Sequence, residues 1–257
     1  MNVTFDFGRK NFVVVGASSG IGRQVALELS ASGANVLAVG RNLERLDALR
    51  KSSPVSLIKQ SSRIFVEQLD VTTATADEWS AVLENFTRCV GRINGGVYTA
   101  GIWGLTPLNA FDTELARKIF DTSFWGAVNF IQTTSRKRFA DENSSFVVMS
   151  SVAADFAGKS LFAYSAAKAA IQAAVKSFAA ELVRNKHRIN SVAPALVQTE
   201  MLQKENVGDE IISRQLLGLS SPFDVAGMIL FLLSERAARI TGQNFFVDGG
   251  YVVGSFA

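Results

Sequence analysis

Short apolar runs alternate with longer helical patterns along almost the whole chain, and this alternation restricts the possible folds more than any other feature. The predicted strands are Phe12–Val15, Asn35–Val39, Ile64–Leu69, Gly96–Thr99, Ser145–Met149, Arg188–Val192 and Phe245–Val247. Helices are predicted near 21–32, 42–51, 76–90, 112–139, 162–185 and 222–235. Unbroken apolar strands are typical of parallel sheets covered on both faces. The pattern predicts one α/β domain over residues 1–257, with a doubly wound, Rossmann-like sheet of about seven parallel strands and helices on both faces.

Composition narrows the classes of function. The net charge of +3 is too small to argue for nucleic-acid binding. The lone cysteine, Cys89, is expected to be a buried thiol in a helix Glu78–Val90, and it excludes both internal disulfides and a cysteine-rich metal site, so no metal is expected. Residues 1–10 are polar, and no apolar run approaches the ~20 residues of a membrane span. We therefore expect a cytoplasmic protein that does not contact a membrane.

His187 is the only histidine, so a Ser–His–Asp triad would have to use it. It lies in the basic run Arg184–Arg188, which is more typical of a solvated helix end than of a catalytic centre. The sequence therefore gives little support to a hydrolase of the serine-protease type.

A glycine-rich turn, Gly16-Ala-Ser-Ser-Gly-Ile-Gly22, directly follows the first predicted strand and leads into a helix. Glycine lets the backbone approach a phosphate, and a helix N-terminus supplies N–H donors and a positive dipole. Any tight turn between a strand and a helix can use glycine for structural reasons alone. The position of this one favours phosphate binding, with contacts predicted from Gly16, Ser18, Ser19, Gly20, Ile21 and Gly22.

The second strand is followed by Arg41 and Asn42, where many dinucleotide sites place an acidic residue for the ribose 2′-hydroxyl. A guanidinium suits a 2′-phosphate instead, because it forms charge-assisted, bidentate hydrogen bonds. Alternatively, Arg41 is merely the first exposed residue of the next helix. Arg41 and Asn42 are predicted to bind the cofactor, with NADP(H) preferred over NAD(H).

Tyr164 and Lys168 lie one helical turn apart, which places their β-carbons roughly 5–6 Å from each other on one helix face. A phenol has a pKa near 10 in water, and a neighbouring ammonium lowers it. The pair is therefore predicted to act as an acid–base catalyst. An exposed tyrosine and lysine sharing a helix face is the plainer explanation of the same spacing.

Several motifs, in this order, make the chain resemble the short-chain dehydrogenase/reductase family, in its single-domain branch. They are GASSGIG at 16–22, Asp70-Val71, Ala100-Gly101, Ser151, YSAAK at 164–168, SVAPALVQTEM at 191–201 and ITGQNFFVDGG at 240–250. The resemblance covers nearly the whole chain. It implies an oxidoreductase that interconverts a carbonyl and a secondary alcohol by hydride transfer.

The resemblance also implies roles for individual residues. Further cofactor contacts are implied for Asp70 and Val71 at the adenine, for Ala100 and Gly101 at the ribose, and for Pro194, Val197 and Thr199 at the nicotinamide. Tyr164 would protonate the carbonyl oxygen as the nicotinamide delivers hydride, and Ser151 would hold that oxygen by a hydrogen bond. Lys168 would lower the pKa of Tyr164 and hydrogen-bond the nicotinamide ribose.

The chain departs from the family pattern at four places, where Val15 replaces threonine, Tyr98-Thr99 replaces two asparagines, Ser123 replaces asparagine and Ala195 replaces glycine. In the family, the asparagine at the position of Ser123 anchors a water that relays protons from the lysine. A serine hydroxyl can also hold a water, although it has one donor instead of two. Ser123 is therefore predicted to take part in catalysis, with slower turnover.

The family pattern further places a lid over the substrate around residues 200–220. Apolar residues there and near the strand ends predict a fairly hydrophobic ketone or alcohol, although such residues are as often core or subunit contacts. They are Met201, Leu202, Ile211, Ile212, Leu216 and Leu217 in the lid, and Trp103, Phe156, Leu161 and Phe162. A homotetramer or homodimer through the helices at 112–139 and 162–185 is implied, with the apolar end 246–257 also at an interface.

Three functions remain open on the sequence. The first is an NADP(H)-dependent carbonyl reductase. The second is a 3-oxoacyl-(acyl-carrier-protein) reductase, since the basic runs Arg136–Arg138 and Arg184–Arg188 could dock an acidic carrier protein. The third is a non-catalytic NADP sensor, suggested by the altered positions Ser123 and Tyr98-Thr99. Retention of both Tyr164 and Lys168 favours an enzyme.

Overall fold

The computed structural model describes residues 3–52, 63–156, 158–203 and 207–254. The strands are β1 Asn11–Val15, β2 Asn35–Gly40, β3 Ile64–Gln68, β4 Ile93–Tyr98, β5 Ala140–Met149, β6 Arg188–Pro194 and β7 Asn244–Val247. The helices are α1 Gly20–Ala31, α2 Leu43–Ser52, α3 Ala76–Val90, α4 Thr113–Phe120, α5 Gly126–Thr134, α6 Phe162–Leu182, α7 Glu200–Gln203, α8 Asp209–Ile212, α9 Pro222–Leu233 and α10 Tyr251–Gly254. None of the helices in these ranges combines the length and apolar character needed to cross a bilayer.

The strands form one parallel sheet in the order β3-β2-β1-β4-β5-β6-β7. This confirms the doubly wound fold predicted from the sequence. The order of the strands reverses between β1 and β4, where Val15 is paired with Tyr98. At such a reversal the following segments of the chain diverge, which opens a crevice beyond the carboxyl ends of the two strands.

The central strand shows why the apolar runs are unbroken. Phe12 and Val14 of β1 belong to a core cluster that includes residues of α1 and α9, whereas Val13 and Val15 belong to a second cluster with α3 and α5. Successive side chains of a strand point to opposite faces of the sheet. Each of these side chains contributes about 1.5–3 kcal/mol by its burial. The strand ends at the crevice are thereby held in fixed positions.

The predicted helix over 112–139 is wrong as a single helix. A π-helical turn, Asp121–Trp125, separates α4 from α5, and α5 ends at Thr134. Beyond it the chain turns tightly, since the amide of Phe139 donates to the carbonyl of Arg136. The basic residues of this stretch therefore lie outside the helix.

Three burial predictions are also wrong. Cys89 is exposed on the outer face of α3. His187 is buried against the ring of Phe146, and its Nε2 lies 3.2 Å from the carbonyl oxygen of Ser135. Arg188 is buried because its guanidinium donates to the carbonyls of Leu232 and Ser234 at the end of α9. These contacts are tertiary, so the local sequence pattern does not reveal them.

Candidate active site

A cavity of about 470 Å³ opens at the carboxyl edge of the sheet, at the reversal between β1 and β4. Most of the residues predicted from the sequence to contact cofactor or substrate line it. These are Gly16, Ser18, Ser19, Gly20, Ile21, Gly22, Arg41, Asn42, Asp70, Val71, Ala100, Gly101, Tyr164, Lys168, Pro194 and Thr199. The structure thus gathers residues from six separate stretches of the sequence around one space.

The glycine turn has little room for side chains. Gly16 has a φ of +82°, a conformation that L-residues with a β-carbon rarely adopt. A β-carbon at Gly22 would overlap the carbonyl oxygen of Gly16 and the hydroxyl of Thr99. Thr99 in turn donates to the carbonyl of Val15 at 2.7 Å and ties β4 to β1. The turn therefore brings bare backbone to the wall of the cavity.

Helix α1 begins at this turn with Ser19 as its N-cap, and the side chain of Ser19 makes no capping hydrogen bond within the described residues. The first amides of α1 are consequently available to an anion, whose charge the positive end of the helix dipole also favours. The glycines and these donors fit the phosphates of a dinucleotide.

Cationic and anionic groups meet at the far end of the cavity. Partial burial alone would raise the pKa of Asp70, but hydrogen bonds from the amide and hydroxyl of Thr72 and the charge of Arg41 lower that pKa overall. Arg45 lines the same space and forms an ion pair with Glu200, with Nη1 2.8 Å from Oε2. Two arginines thus lie beside two carboxylates at this end of the cavity, and of the two arginines only Arg45 forms an ion pair among the described residues.

Tyr164 and Lys168 stand together in the first two turns of α6. Nζ of Lys168 lies 5.7 Å from the centre of the Tyr164 ring and donates to the carbonyl of Met149 at 3.0 Å. Lys168 is only 4% exposed, and this burial lowers its pKa to about 8. Tyr164 is half-buried and lines the cavity, so a ligand there can reach it.

Three residues with a predicted catalytic or cofactor-binding role lie outside the described lining of the cavity. Ser151 is buried next to it, and its Oγ accepts from the amide of Ala153 at 3.2 Å. Val197 is buried in the core and forms an isolated bridge with Ser220. Ser123 is buried in the π-helical turn, and its Oγ has no hydrogen-bond partner within the described residues.

Several residues of the cavity wall were not predicted from the sequence. The ion pair of Arg45 with Glu200 joins residues far apart in the chain, so no local spacing indicates it. Met149 and Ser150 also line the cavity; their position at the carboxyl end of the predicted strand Ser145–Met149 was the available signal.

The segment predicted to be a lid contains α7 and α8, and residues 204–206 of that prediction lie outside the described residues. Met201 lines the cavity. The predicted cleft residues Trp103, Phe156, Leu161 and Phe162 are not part of its described lining, and the ring of Phe162 packs 5.2 Å from that of Phe111 on the surface.

Comparison with known proteins agrees with this geometry. Residues 16–252 match a family model described as enoyl-(acyl carrier protein) reductase. The chain is 30% identical over 246 residues to the 3-oxoacyl-[acyl-carrier-protein] reductase FabG of Thermotoga maritima, covering 94% of this chain and 97% of the relative. It is 31% identical over 260 residues to D-erythrulose reductase of Gallus gallus, covering 98% and 100%. A short-chain type dehydrogenase/reductase structure from Mycobacterium ulcerans superposes with a TM-score of 0.88 at 30% identity, covering 98% of this chain and 92% of that one.

Proposed function

Because this chain belongs to the short-chain dehydrogenase/reductase family, as an oxidoreductase of carbonyl and alcohol groups, we propose that it uses NADP(H) with Tyr164 as general acid and base. One observation carries the proposal. The glycine turn and the pair Tyr164 and Lys168 line one cavity at the reversal of the sheet. The phosphate-binding elements and the proton donor are thus within reach of one ligand.

Each of the proposed catalytic side chains has a separate role in carbonyl reduction. A reduced nicotinamide, when bound, supplies the hydride. Tyr164 gives its phenolic proton to the carbonyl oxygen, and takes it back in alcohol oxidation. Oγ of Ser151 accepts from the amide of Ala153, so its own proton is free to stabilise the developing charge on the substrate oxygen. Lys168, held by the carbonyl of Met149, makes the phenol more acidic while it carries a positive charge.

The proposed preference for NADP(H) rests on the guanidinium groups of Arg41 and Arg45 at the far end of the cavity. Arg41 is exposed there beside Asn42, and Arg45 lies in the first turn of α2. A 2′-phosphate would receive charge-assisted hydrogen bonds from such guanidinium groups. Asp70, Val71, Ala100, Gly101, Pro194, Val197 and Thr199 are proposed to hold the remainder of the cofactor, as the family pattern implies.

A fairly hydrophobic ketone or secondary alcohol is the proposed substrate, with residues around 200–220 as its cover. Met201 supports this, because it brings an apolar side chain from that segment to the cavity. A homotetramer or homodimer is proposed from the apolar side chains of Phe111, Trp125 and Phe162, which are exposed around α4, α5 and α6.

A carrier-bound 3-oxoacyl substrate is the second candidate, favoured by relatives that are named for this activity. The basic runs that suggested it are poorly placed. Arg136 and Arg184 precede β5 and β6, at the amino edge of the sheet, whereas Tyr164 lies at the carboxyl edge. Because β5 bulges between Ala140 and Ser145, its ten residues cover only about 20 Å between the two edges. A carrier protein would have to dock elsewhere to deliver its acyl group.

The proposal is tested by incubating the protein with NADPH and a panel of ketones, aldehydes and 3-oxoacyl thioesters while following the nicotinamide absorbance. We expect NADPH oxidation with at least one apolar ketone, and a loss of at least about 100-fold in Tyr164→Phe, because general acid catalysis contributes 10²–10⁴-fold. Tight NADPH binding without turnover on any compound would instead support the sensor alternative.

A further inference from the structure

The π-helical turn Asp121–Trp125 leaves one backbone carbonyl without its usual helical donor. In an α-helix the amide of Gly126 would donate to the carbonyl of Thr122, four residues earlier. Here it donates to Asp121, five residues earlier. The Thr122 carbonyl therefore needs a donor from outside the helix, because a buried carbonyl without a partner is costly.

Tyr98 supplies that donor from the end of β4. Its hydroxyl donates to the carbonyl of Thr122 at 2.5 Å, and the side chain is 1% exposed. Burial raises the pKa of Tyr98, so the hydroxyl keeps its proton at physiological pH. The bond joins the strand that leads to Ala100 and Gly101 to the turn that contains Ser123.

Gly126 makes room for this hydroxyl. A β-carbon at position 126 would overlap the Tyr98 hydroxyl oxygen and lie 3.2 Å from the ring carbon that bears it. Tyr98 and Gly126 are therefore complementary in shape. The space that any larger residue would fill at position 126 is occupied by the group that binds Thr122.

The turn places Ser123 near the proposed catalytic lysine. The position that a β-carbon would take at Gly101 is 3.4 Å from both Oγ of Ser123 and Nζ of Lys168. Both groups are buried, and the Ser123 hydroxyl is unpaired among the described residues. A small change in the turn would move this hydroxyl away from the amine.

We propose that Tyr98 is a positioning residue. Its hydroxyl stabilises the π-helical turn by donating to the Thr122 carbonyl, and thereby keeps Ser123 beside Lys168. The effect on turnover rests on the proposed function, whereas the effect on the turn does not. Tyr98→Phe removes the hydroxyl alone and serves as the main test.

We expect Tyr98→Phe to lower kcat about tenfold, since small displacements of a catalytic group have effects of this order or larger. The KM for the carbonyl and the Kd for NADPH should change less than twofold. In a Ser123→Ala background, Tyr98→Phe should lower kcat no further, because the two residues act as one unit. Independent, multiplying losses in the double variant would overturn the proposal.

Two further measurements separate positioning from a loss of general stability. Thr134→Val is the matched control, because it removes an equally buried hydroxyl of α5 that donates to the carbonyl of Phe130 at 2.6 Å. It should lower the melting temperature without changing kcat. Gly126→Ala should be strongly destabilising alone but less so combined with Tyr98→Phe, since the overlapping hydroxyl is gone.

The Gly126 stability cycle requires no turnover, so it distinguishes failure of this inference from failure of the proposed function. If Gly126→Ala lowers the melting temperature by the same amount with and without the Tyr98 hydroxyl, the coupling of strand and turn is refuted. If the coupling is present but no carbonyl is reduced, the positioning of the turn stands and the proposed reaction does not.

Discussion

At the scale of single residues, Lys168 carries an amine into the interior of the fold. Its Nζ donates to the Met149 carbonyl, and no described carboxylate forms an ion pair with it. Burying an ammonium without a counter-charge disfavours the charged form, which is why the pKa of Lys168 falls to about 8. The protein thus keeps a destabilising group at a position where the proposed reaction needs a cation.

The unfavourable burial of the Lys168 ammonium predicts how the stability of the protein depends on pH. Free lysine has a pKa of 10.5, against about 8 for the folded state. Between these values the unfolded chain binds a proton that the folded chain has released, so the contribution of Lys168 to the free energy of unfolding rises with pH. Below pH 8 the buried charge costs on the order of 3 kcal/mol, because one pKa unit equals 1.36 kcal/mol.

Lys168→Met should therefore be more stable than the wild type below pH 8, by about 2 kcal/mol once about 1 kcal/mol is deducted for the lost hydrogen bond to Met149. The difference should shrink as the pH rises toward 10.5, and turnover should be abolished. Urea unfolding of both proteins on each side of pH 8 measures this. A variant that is less stable at every pH would contradict the account of an unpaired buried amine.

Arg41 is the single residue on which the proposed preference for NADP(H) over NAD(H) chiefly depends. Arg41→Ala should weaken NADPH binding by about 10- to 100-fold, since a charged hydrogen bond contributes about 1.5–3 kcal/mol, and should leave NADH binding nearly unchanged. Fluorescence titration with both cofactors gives the two Kd values. Arg50→Ala is the control, because Arg50 is a surface arginine of α2 that pairs with Asp47 and is absent from the described cavity lining. An unchanged ratio of the two Kd values in Arg41→Ala would rule out this role.

At the scale of elements, the cavity is spanned by the ion pair between Arg45 of α2 and Glu200 of α7. Both side chains are about half exposed, so the pair itself contributes little stability. The Glu200 carboxylate nevertheless lies at the end of the cavity where a 2′-phosphate is proposed to bind. A bound phosphate would compete with Glu200 for Arg45.

Glu200→Gln should consequently tighten NADPH binding by up to about fivefold, the range set by exposed ion pairs of 0.2–1 kcal/mol, with little effect on NADH. The same titrations provide the measurement. Glu235→Gln, which breaks the remote surface pair with Lys10, should change neither Kd. Equal tightening of NADH and NADPH would show that Glu200 acts on the cofactor in general rather than on the phosphate.

The elements also show what could be predicted from the sequence. The seven strands follow from apolar runs, since burial on both faces leaves that pattern in the residues themselves. The π-helical turn does not, because it depends on a hydroxyl supplied by Tyr98, which lies 24 positions away from Thr122. The burial of Arg188 was not predicted for the same reason, since its hydrogen-bond acceptors are carbonyls at the end of α9. Local pattern predicted the framework, whereas contacts between distant segments set the details of the site.

At the scale of the whole molecule, the two edges of the parallel sheet carry different groups of side chains. The cavity and the proposed catalytic groups lie at the carboxyl ends of the strands. The amino edge carries Arg136, Lys137 and Arg184 around a second cavity of about 640 Å³ at the ends of α5 and α6. Basic side chains stabilise the negative ends of these helices, which accounts for their presence there without a ligand. The distribution of charge is thus explained by helix ends on one edge and by the proposed cofactor on the other.

The exposed thiol of Cys89 gains a practical meaning from this arrangement. It sits in the last turn of α3, just before β4 begins, and hence on the edge remote from the cavity. As the sole cysteine of the sequence, it offers a single point for a maleimide dye or for tethering to an electrode. Protein molecules tethered to a surface through Cys89 would all be attached at the amino edge of the sheet, which leaves the mouth of the cavity on the side remote from the point of attachment.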